Sequence, residues 1–198
     1  FFLLVHFLSA PELRPSNIPN LICFARIALV IPIIRLLWQE QFLLSLLLIL
    51  IAGLSDILDG YLAKKNNWRS YLGAVLDPAA DKILLVSLFL TLQSMGLIPL
   101  WLTLTVILRD LMIVFGLGLY RYFVGVPQPK PTRISKFNTL LQLAFIILVI
   151  LAQGIQFPFA ILSMVCGSLV FVTSILSGLD YWIIWSIEAK KKIYQSGR

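Results

Sequence analysis

The stretch "DILDGYLAKKNNWRSYLGAVLDPAAD", residues 56–81, places four aspartates in a chain that is otherwise strongly apolar. The 198-residue sequence is 60% hydrophobic and 13% charged, and its mean hydropathy is +0.95. Soluble globular domains do not reach these values, so the composition predicts an integral membrane protein. Around this stretch, only short polar connections separate the apolar runs. Residues 1–198 are therefore predicted to form a single domain.

The apolar runs have the length of transmembrane segments. A window of about 20 apolar residues, which crosses roughly 30 Å of hydrocarbon, finds six of them. We expect helices, because backbone groups in lipid must be satisfied internally and the runs lack the alternation of barrel strands. The predicted fold is an all-α bundle of six transmembrane helices, preceded by a short interfacial helix within residues 1–17. The spans are predicted at 18–38, 42–63, 73–95, 97–122, 134–153 and 158–185.

Basic residues cluster in every second polar segment that follows a span. They follow spans 2, 4 and 6, whereas the connections at 39–41, 93–96 and 153–157 contain no Lys or Arg. The positive-inside rule therefore places both termini in the cytoplasm. The net charge of +7 is explained by anionic lipid headgroups, since no basic domain is present that could bind nucleic acid. Without a visible organelle-targeting segment, a bacterial inner membrane is the expected location.

The four aspartates form two pairs at helical spacing. Asp56 and Asp59 are three residues apart near the end of span 2, and Asp77 and Asp81 are four apart near the start of span 3. Each pair shares one helical face, and the short connection makes the two helices antiparallel neighbours. Four unpaired carboxylates at one depth would repel each other and lose hydration, so we expect a cation among them.

The cation can be a side chain or a metal ion. Ion pairing with basic residues is one alternative, with Lys64, Lys82 and Arg109 as the candidates. For four carboxylates at this spacing we favour Mg²⁺ or Mn²⁺, because these ions prefer hard oxygen ligands and two of them can share bridging carboxylates. Two such ions can polarise a phosphoryl oxygen and stabilise a leaving group. The pattern therefore predicts phosphate chemistry on a lipid.

The spacing of the whole stretch resembles the signature of the CDP-alcohol phosphatidyltransferase family, D-x2-D-G-x2-A-R-x8-G-x3-D-x3-D. Seven of its eight fixed positions match, and Lys64 stands where the family usually has Arg. The charge is kept, but a planar bidentate donor is lost. The resemblance implies six transmembrane helices, a site facing the cytoplasm and a homodimer.

The resemblance also implies a reaction. A hydroxyl of an acceptor alcohol attacks the β-phosphate of a CDP-linked lipid, and CMP is released. By the matching positions, the four aspartates would bind two metal ions, and Asp81 would also accept the proton of the attacking hydroxyl. The CDP-binding positions would be Asp56, Gly60, Ala63, Lys64 and Gly73, with Gly73 also easing the turn into span 3.

A second stretch, "NIPNLICFARI" at 17–27, is similar to the segment that begins the first helix in this family. It adds Asn20 to the CDP-binding positions and makes Arg26 a further site candidate. Cys23 stands where the family commonly has Thr. The structural alternatives are a helix N-cap for Asn20 and a snorkelling or buried, paired side chain for Arg26.

A third stretch bears on the acceptor. "PTRISKFNTLLQL" at 131–143 and "LRDLMIVFGLGLYRY" at 108–122 resemble the cardiolipin synthase branch of the family. This resemblance implies CDP-diacylglycerol and phosphatidylglycerol as substrates. Arg133 and Lys136 would form a cationic site for the acceptor phosphodiester, or only anchor the helix at the membrane surface. Arg109 could reach a substrate phosphate, or it and Asp110 could pair within the bundle.

Two other functions are alternatives. Phosphatidylglycerophosphate synthase, whose acceptor is glycerol 3-phosphate, belongs to the same family and shares every signature residue. A cation transporter could use the carboxylates as an ion site. The position of the acids at a helix end and the absence of a visible inverted repeat argue against the transporter.

Overall fold

The structure is a computed structural model whose described backbone consists only of α-helices and their connections. It describes the backbone of residues 18–65, 71–123, 132–156, 158 and 160–196, and the side chains of 23–55, 79–118, 132–156, 158, 161–184 and 186–187. The six helices are α1 (Ile18–Trp38), α2 (Phe42–Lys65), α3 (Tyr71–Ser94), α4 (Leu100–Phe123), α5 (Arg133–Gly154) and α6 (Ala160–Ser196).

All six predicted helices are present, and most of their ends lie within two or three residues of the prediction. The exception is α6, whose 37 residues continue well past position 185. Three segments of the described chain are long and apolar enough to cross a membrane: Leu100–Gly118, Arg133–Gly154 and Ile161–Ile184. A shorter apolar segment, Phe42–Ser55, lies in α2. Six membrane crossings remain a prediction, and the proposed interfacial segment 1–17 lies outside the described residues.

The three connections without Lys or Arg share one backbone feature. Each contains a residue in the left-handed region just after a helix: Glu40 at φ 58°, Gly96 at φ 74° and Gln156 at φ 52°. After α1, the Gln41 N–H donates to the Leu36 carbonyl, the long-range bond of a Schellman motif. These caps satisfy carbonyls at the helix ends, so α1 and α2 are joined by a tight turn.

The chain forms two compact units, residues 1–88 and 89–198, with the boundary inside α3. In the first unit, α1 packs against α2. Buried positions recur every three or four residues along each helix, which is the pattern of a helix with one packed face. These positions are Cys23, Arg26, Val30, Ile33 and Leu37 on α1; Ser45, Leu46, Ile49 and Ala52 on α2; and Ala80, Leu84, Leu85 and Leu88 on α3.

In the second unit, α6 packs against both α4 and α5. Aromatic side chains join the helices here: Phe89 stacks on Phe145 with ring centroids 6.3 Å apart, and Trp101 meets Phe171 edge to face at 5.1 Å. Close approach also depends on Gly167, because a Cβ atom there would lie 3.3 Å from the Phe145 ring. Small residues at helix contacts are typical of membrane proteins.

Candidate functional site

The four aspartates of the signature lie on two helices that are consecutive in the chain. Asp56 and Asp59 are in the second half of α2, and Asp77 and Asp81 are in the first half of α3. Gly73 was expected to ease the turn before this helix, but α3 already begins at Tyr71, so Gly73 is helical. The side chains of positions 56–78 lie outside the described part of the structure, so the CDP-binding roles of Gly60, Ala63, Lys64 and Gly73 stay predictions.

Helical register places these positions at the ends of the buried faces of the first unit. Continuing the spacing of three and four along α2 reaches Asp56 and then Asp59. On α3, the face that buries Leu84 and Leu88 is preceded by Asp81 at the same spacing. On α1, the position one turn before the buried Cys23 is Asn20. The backbone register therefore continues the spacing of each buried face to a polar position of the signature or of the first stretch.

One contact at this site is described in full. Arg26 Nη1 on α1 donates to Asp81 Oδ1 on α3 at 2.8 Å. The Arg26 side chain is 2% exposed, whereas that of Asp81 is 46% exposed. Of the two alternatives for Arg26, the buried and paired one is therefore found, and its partner is the predicted general base. The pair positions one Asp81 oxygen and supplies positive charge beside the predicted carboxylate cluster.

Arg109, the predicted acceptor-binding residue of α4, is engaged by protein groups. Its Nη1 donates to Asp110 at 2.7 Å, and its Nη2 donates to the hydroxyl groups of Ser135 and Ser177, each at 2.5 Å. Arg109 and Asp110 thus satisfy each other within the bundle, which is one of the two alternatives drawn from the sequence. The Nε of Arg109 is buried and has no hydrogen-bond partner in the described part of the chain. A contact between Arg109 and an acceptor lipid stays a prediction.

The other two predicted acceptor residues are in the first turn of α5. Thr132 caps this helix, since its side chain accepts a hydrogen bond from the Ser135 N–H at 3.1 Å. Arg133 and Lys136 are both exposed, and the buried Ser135 lies between them. The cap therefore fixes a turn in which Arg133 and Lys136 are exposed, while the Ser135 side chain accepts a hydrogen bond from Arg109.

Sequence reasoning missed a line of buried polar residues that begins at Ser135. Asn138 and Gln142 continue it at helical spacing, and both are 0% exposed. Asn138 Oδ1 accepts hydrogen bonds from Thr173 and Ser174 on α6. The signal was present, because polar residues at i, i+3 and i+7 within an apolar span predict a buried polar face.

The donor set suits a divalent metal ion. Four carboxylates provide the hard oxygen ligands of Mg²⁺ or Mn²⁺. Among the described side chains, no three His, Cys, Asp or Glu residues are close enough to hold an ion. Of the four aspartates, only Asp81 has a described side chain. Its carboxylate is held by Arg26 but remains partly exposed, which is compatible with binding a metal ion.

An all-helical chain with this signature across α2 and α3 is typical of a membrane-embedded transferase of CDP-linked lipids. Residues 16–186 match the sequence profile of the CDP-alcohol phosphatidyltransferases. The match covers most of the chain and both compact units. The chain belongs to the CDP-alcohol phosphatidyltransferase family, which confirms the resemblance found in its signature.

Curated relatives include two kinds of enzyme. A cardiolipin synthase (CMP-forming) of Homo sapiens is 34% identical over 88% of this chain and 64% of its own length. One of Streptomyces coelicolor is 34% identical over 71% of this chain and 68% of its own length. A CDP-diacylglycerol–glycerol-3-phosphate 3-phosphatidyltransferase of Aquifex aeolicus is 29% identical over 90% of this chain and 99% of its own length. The chain thus spans less than two thirds of the human relative.

Proposed function

We propose that this protein is a cardiolipin synthase that transfers a phosphatidyl group from CDP-diacylglycerol to phosphatidylglycerol. A hydroxyl oxygen of phosphatidylglycerol attacks the phosphorus that bears the diacylglycerol. The bond between this phosphorus and the bridging oxygen breaks, and CMP leaves with that oxygen. The products are cardiolipin and CMP, and the proton of the attacking hydroxyl passes to Asp81.

The observation that carries the proposal is the similarity to the Streptomyces cardiolipin synthase, of which this chain covers 68% at 34% identity. The stretch "PTRISKFNTLLQL" supports it from within the sequence. In the structure, its Ser135, Asn138 and Gln142 are buried, while Arg133 and Lys136 are exposed. The segment therefore has a packed side that fixes the helix and a cationic side suited to an anionic lipid.

The signature residues supply the shared half of the reaction. Asp56, Asp59, Asp77 and Asp81 would hold two Mg²⁺ or Mn²⁺ ions, which when bound neutralise phosphate charge and polarise the phosphoryl oxygens. Arg26 keeps the Asp81 carboxylate oriented through their 2.8 Å contact. Asp81 then serves as the general base for the acceptor hydroxyl, a role that requires an ordered carboxylate within hydrogen-bond reach.

The proposal extends to assembly and location. The six helices all cross the membrane, and the CDP-binding residues face the cytoplasm, where the basic connections lie. The enzyme works as a homodimer in a bacterial inner membrane. Its activity requires lipid, because both substrates carry acyl chains that remain in the bilayer.

The test uses membranes that contain the full chain, labelled CDP-diacylglycerol and one acceptor at a time. Thin-layer separation of the lipid products should show cardiolipin when phosphatidylglycerol is offered. It should show no phosphatidylglycerophosphate when glycerol 3-phosphate is offered. A matched preparation of Asp59→Asn, which lacks one predicted metal ligand, controls for activity from the host membrane.

A second candidate function rests on the Aquifex relative. The chain covers 99% of that glycerol-3-phosphate transferase, although at the lower identity of 29%. Glycerol 3-phosphate is nearly doubly charged and has no acyl chain that could help orient its hydroxyl group, and orientation provides much of the rate in such reactions. If the assay yields phosphatidylglycerophosphate and no cardiolipin, this second function replaces the first.

A further inference from the structure

An open groove lies between α4 and α6 in the second unit. It has a volume of about 350 Å³, within the roughly 300–1,000 Å³ range of small-molecule sites. Its walls are mainly apolar, with Leu108 and Met112 from α4 facing Ile175 and Leu179 from α6. Gly178 leaves room for the Met112 side chain, because a Cβ atom there would lie 3.1 Å from the Met112 Cε.

The position of the groove indicates a hydrocarbon ligand. All of its lining residues belong to Leu100–Gly118 and Ile161–Ile184, two of the segments able to cross a membrane. The leucines Leu108 and Leu179 are 62% and 49% exposed. A groove of this kind, open to the bilayer, is filled by acyl chains rather than by water, because burying polar groups there is costly.

A polar group in the groove wall indicates that the ligand also carries a hydrogen-bond acceptor. Arg109 lines the groove, its side chain is 4% exposed, and its Nε has no hydrogen-bond partner among the residues that the structure describes. The pair with Asp110 already balances the guanidinium charge, so the missing partner has to be an acceptor but need not be an anion. A carbonyl oxygen of a fatty-acyl ester meets this requirement next to an apolar chain.

Arg109 also connects the groove to the cationic turn of α5. Its Nη2 donates to Ser135, which lies between the exposed Arg133 and Lys136. We propose that the groove between α4 and α6 binds an acyl chain of phosphatidylglycerol, whose ester carbonyl accepts from Arg109 Nε and whose phosphodiester lies at Arg133 and Lys136. This inference rests on the proposed function, and it assigns the groove to the acceptor rather than to CDP-diacylglycerol.

The test fills the groove from its open side. Leu179→Trp places a larger side chain in the wall, and Leu176→Trp is the matched control, because Leu176 is equally exposed at 49% on the same helix but does not line the groove. Leu179→Trp should raise the KM for phosphatidylglycerol about tenfold, equivalent to about 1.4 kcal/mol. The KM for CDP-diacylglycerol should not change, and Leu176→Trp should match the unmodified protein. Ile175→Trp provides a second filling variant if Leu179→Trp does not fold.

A binding measurement separates this inference from the reaction. Phosphatidylglycerol with a diazirine in one acyl chain is photolysed with the protein in vesicles, and labelled peptides are mapped. Labelling of α4 and α6 around Met112 and Ile175 should be lost in Leu179→Trp and kept in Leu176→Trp. Equal labelling of both variants, or an equal rise in both KM values, would overturn the inference. If no cardiolipin is made, the proposed function fails, and labelling alone decides whether the groove binds the lipid.

Discussion

Arg26 on α1 and Asp81 on α3 form an ion pair at 2.8 Å in which the arginine is buried and the aspartate is half exposed. This asymmetry suits a positioning role for Arg26. Its charge is shielded from solvent, while the carboxylate it contacts keeps a surface that substrate can approach. The pair also links the beginning of α1 to the signature on α3, so two stretches recognised separately in the sequence meet in one contact.

The first prediction concerns this pair. Arg26→Gln removes the charge that orients Asp81, so kcat should fall by about 10²-fold, the lower range for loss of an effective general base. Arg26→Lys keeps the charge and should retain more activity than Arg26→Gln. The measurement is CMP release from CDP-diacylglycerol with saturating acceptor. Arg35→Gln, which changes an exposed arginine of the same helix, is the matched control.

The contact also makes a stability prediction possible. Asn at position 81 keeps a side-chain oxygen that can accept the hydrogen bond from the buried Arg26, so Asp81→Asn should cost less than the roughly 3–5 kcal/mol expected when one member of a buried pair is removed outright. Asp81→Asn should therefore remain folded while losing activity. Near-normal turnover in Asp81→Asn would mean that another residue is the general base. Near-normal turnover in Arg26→Gln would mean that the ion pair has only a structural role.

The second prediction concerns the metal ions. Four carboxylates that repel one another need positive charge beyond that of Arg26, so activity should depend strictly on a divalent cation. Purified protein in EDTA should release no CMP, and Mg²⁺ or Mn²⁺ should restore the reaction. Asp59→Asn should not regain activity at the metal concentration that restores the unmodified protein. Full turnover in the chelator would contradict the two-metal hypothesis.

The helices and the signature could be predicted from the sequence because both are local patterns. The apolar windows found all six helices, and only α6 continues far beyond its predicted span. A hydropathy window detects what lipid requires, whereas the helix continues over Lys190 to Lys192 because Ala, Glu, Lys and Gln are good helix formers. The membrane-spanning segment of α6 is therefore shorter than the helix that contains it.

The partners of the charged residues could not be predicted, because they depend on which helix faces lie together. The sequence offered three basic candidates for the aspartates, yet the contact found for Asp81 is with Arg26, 55 residues away. Similarly, nothing local connects Arg109 to Ser135 and Ser177. These hydrogen bonds form only when helices that are distant in the sequence pack together.

The third prediction concerns the acceptor site. Arg133 and Lys136 are exposed in the capped first turn of α5, so replacing both with Gln removes charge without disturbing packing. The KM for phosphatidylglycerol should rise several-fold, while the KM for CDP-diacylglycerol should stay the same. The effect should shrink at high salt, since exposed charges are screened. Equal changes in both KM values would indicate surface anchoring instead.

The fourth prediction tests the buried network around Arg109. Ser177→Ala removes one of the hydroxyl acceptors of Arg109 Nη2. Hydrogen bonds to charged groups are worth about 1.5–3 kcal/mol in soluble proteins. Interhelical bonds in membranes average only about 0.6 kcal/mol, so we expect a loss of roughly 0.6–1.7 kcal/mol.

Unfolding in mixed detergent and denaturant measures this loss. The control is Ser168→Ala on the same helix, where the exposed hydroxyl donates to the Met164 carbonyl one turn earlier. That change should stay within about 0.5 kcal/mol. Equal effects of Ser177→Ala and Ser168→Ala would show that the network contributes little to stability.

The fifth prediction concerns helix packing in the second unit. A Cβ atom at Gly167 would lie 3.3 Å from Phe145 and 3.5 Å from Leu102, so Gly167→Leu forces side chains between packed helices. Overpacking typically costs about 1–3 kcal/mol, which exceeds the gain of up to about 1 kcal/mol from removing a helical glycine. Gly118→Leu on α4 is the control, because Gly118 is exposed and a Cβ there would have nothing within 4 Å. Gly167→Leu should therefore lower the unfolding midpoint while Gly118→Leu holds or raises it, and a Gly167→Leu protein as stable as Gly118→Leu would mean that α6 can move away from α4 and α5 at little cost.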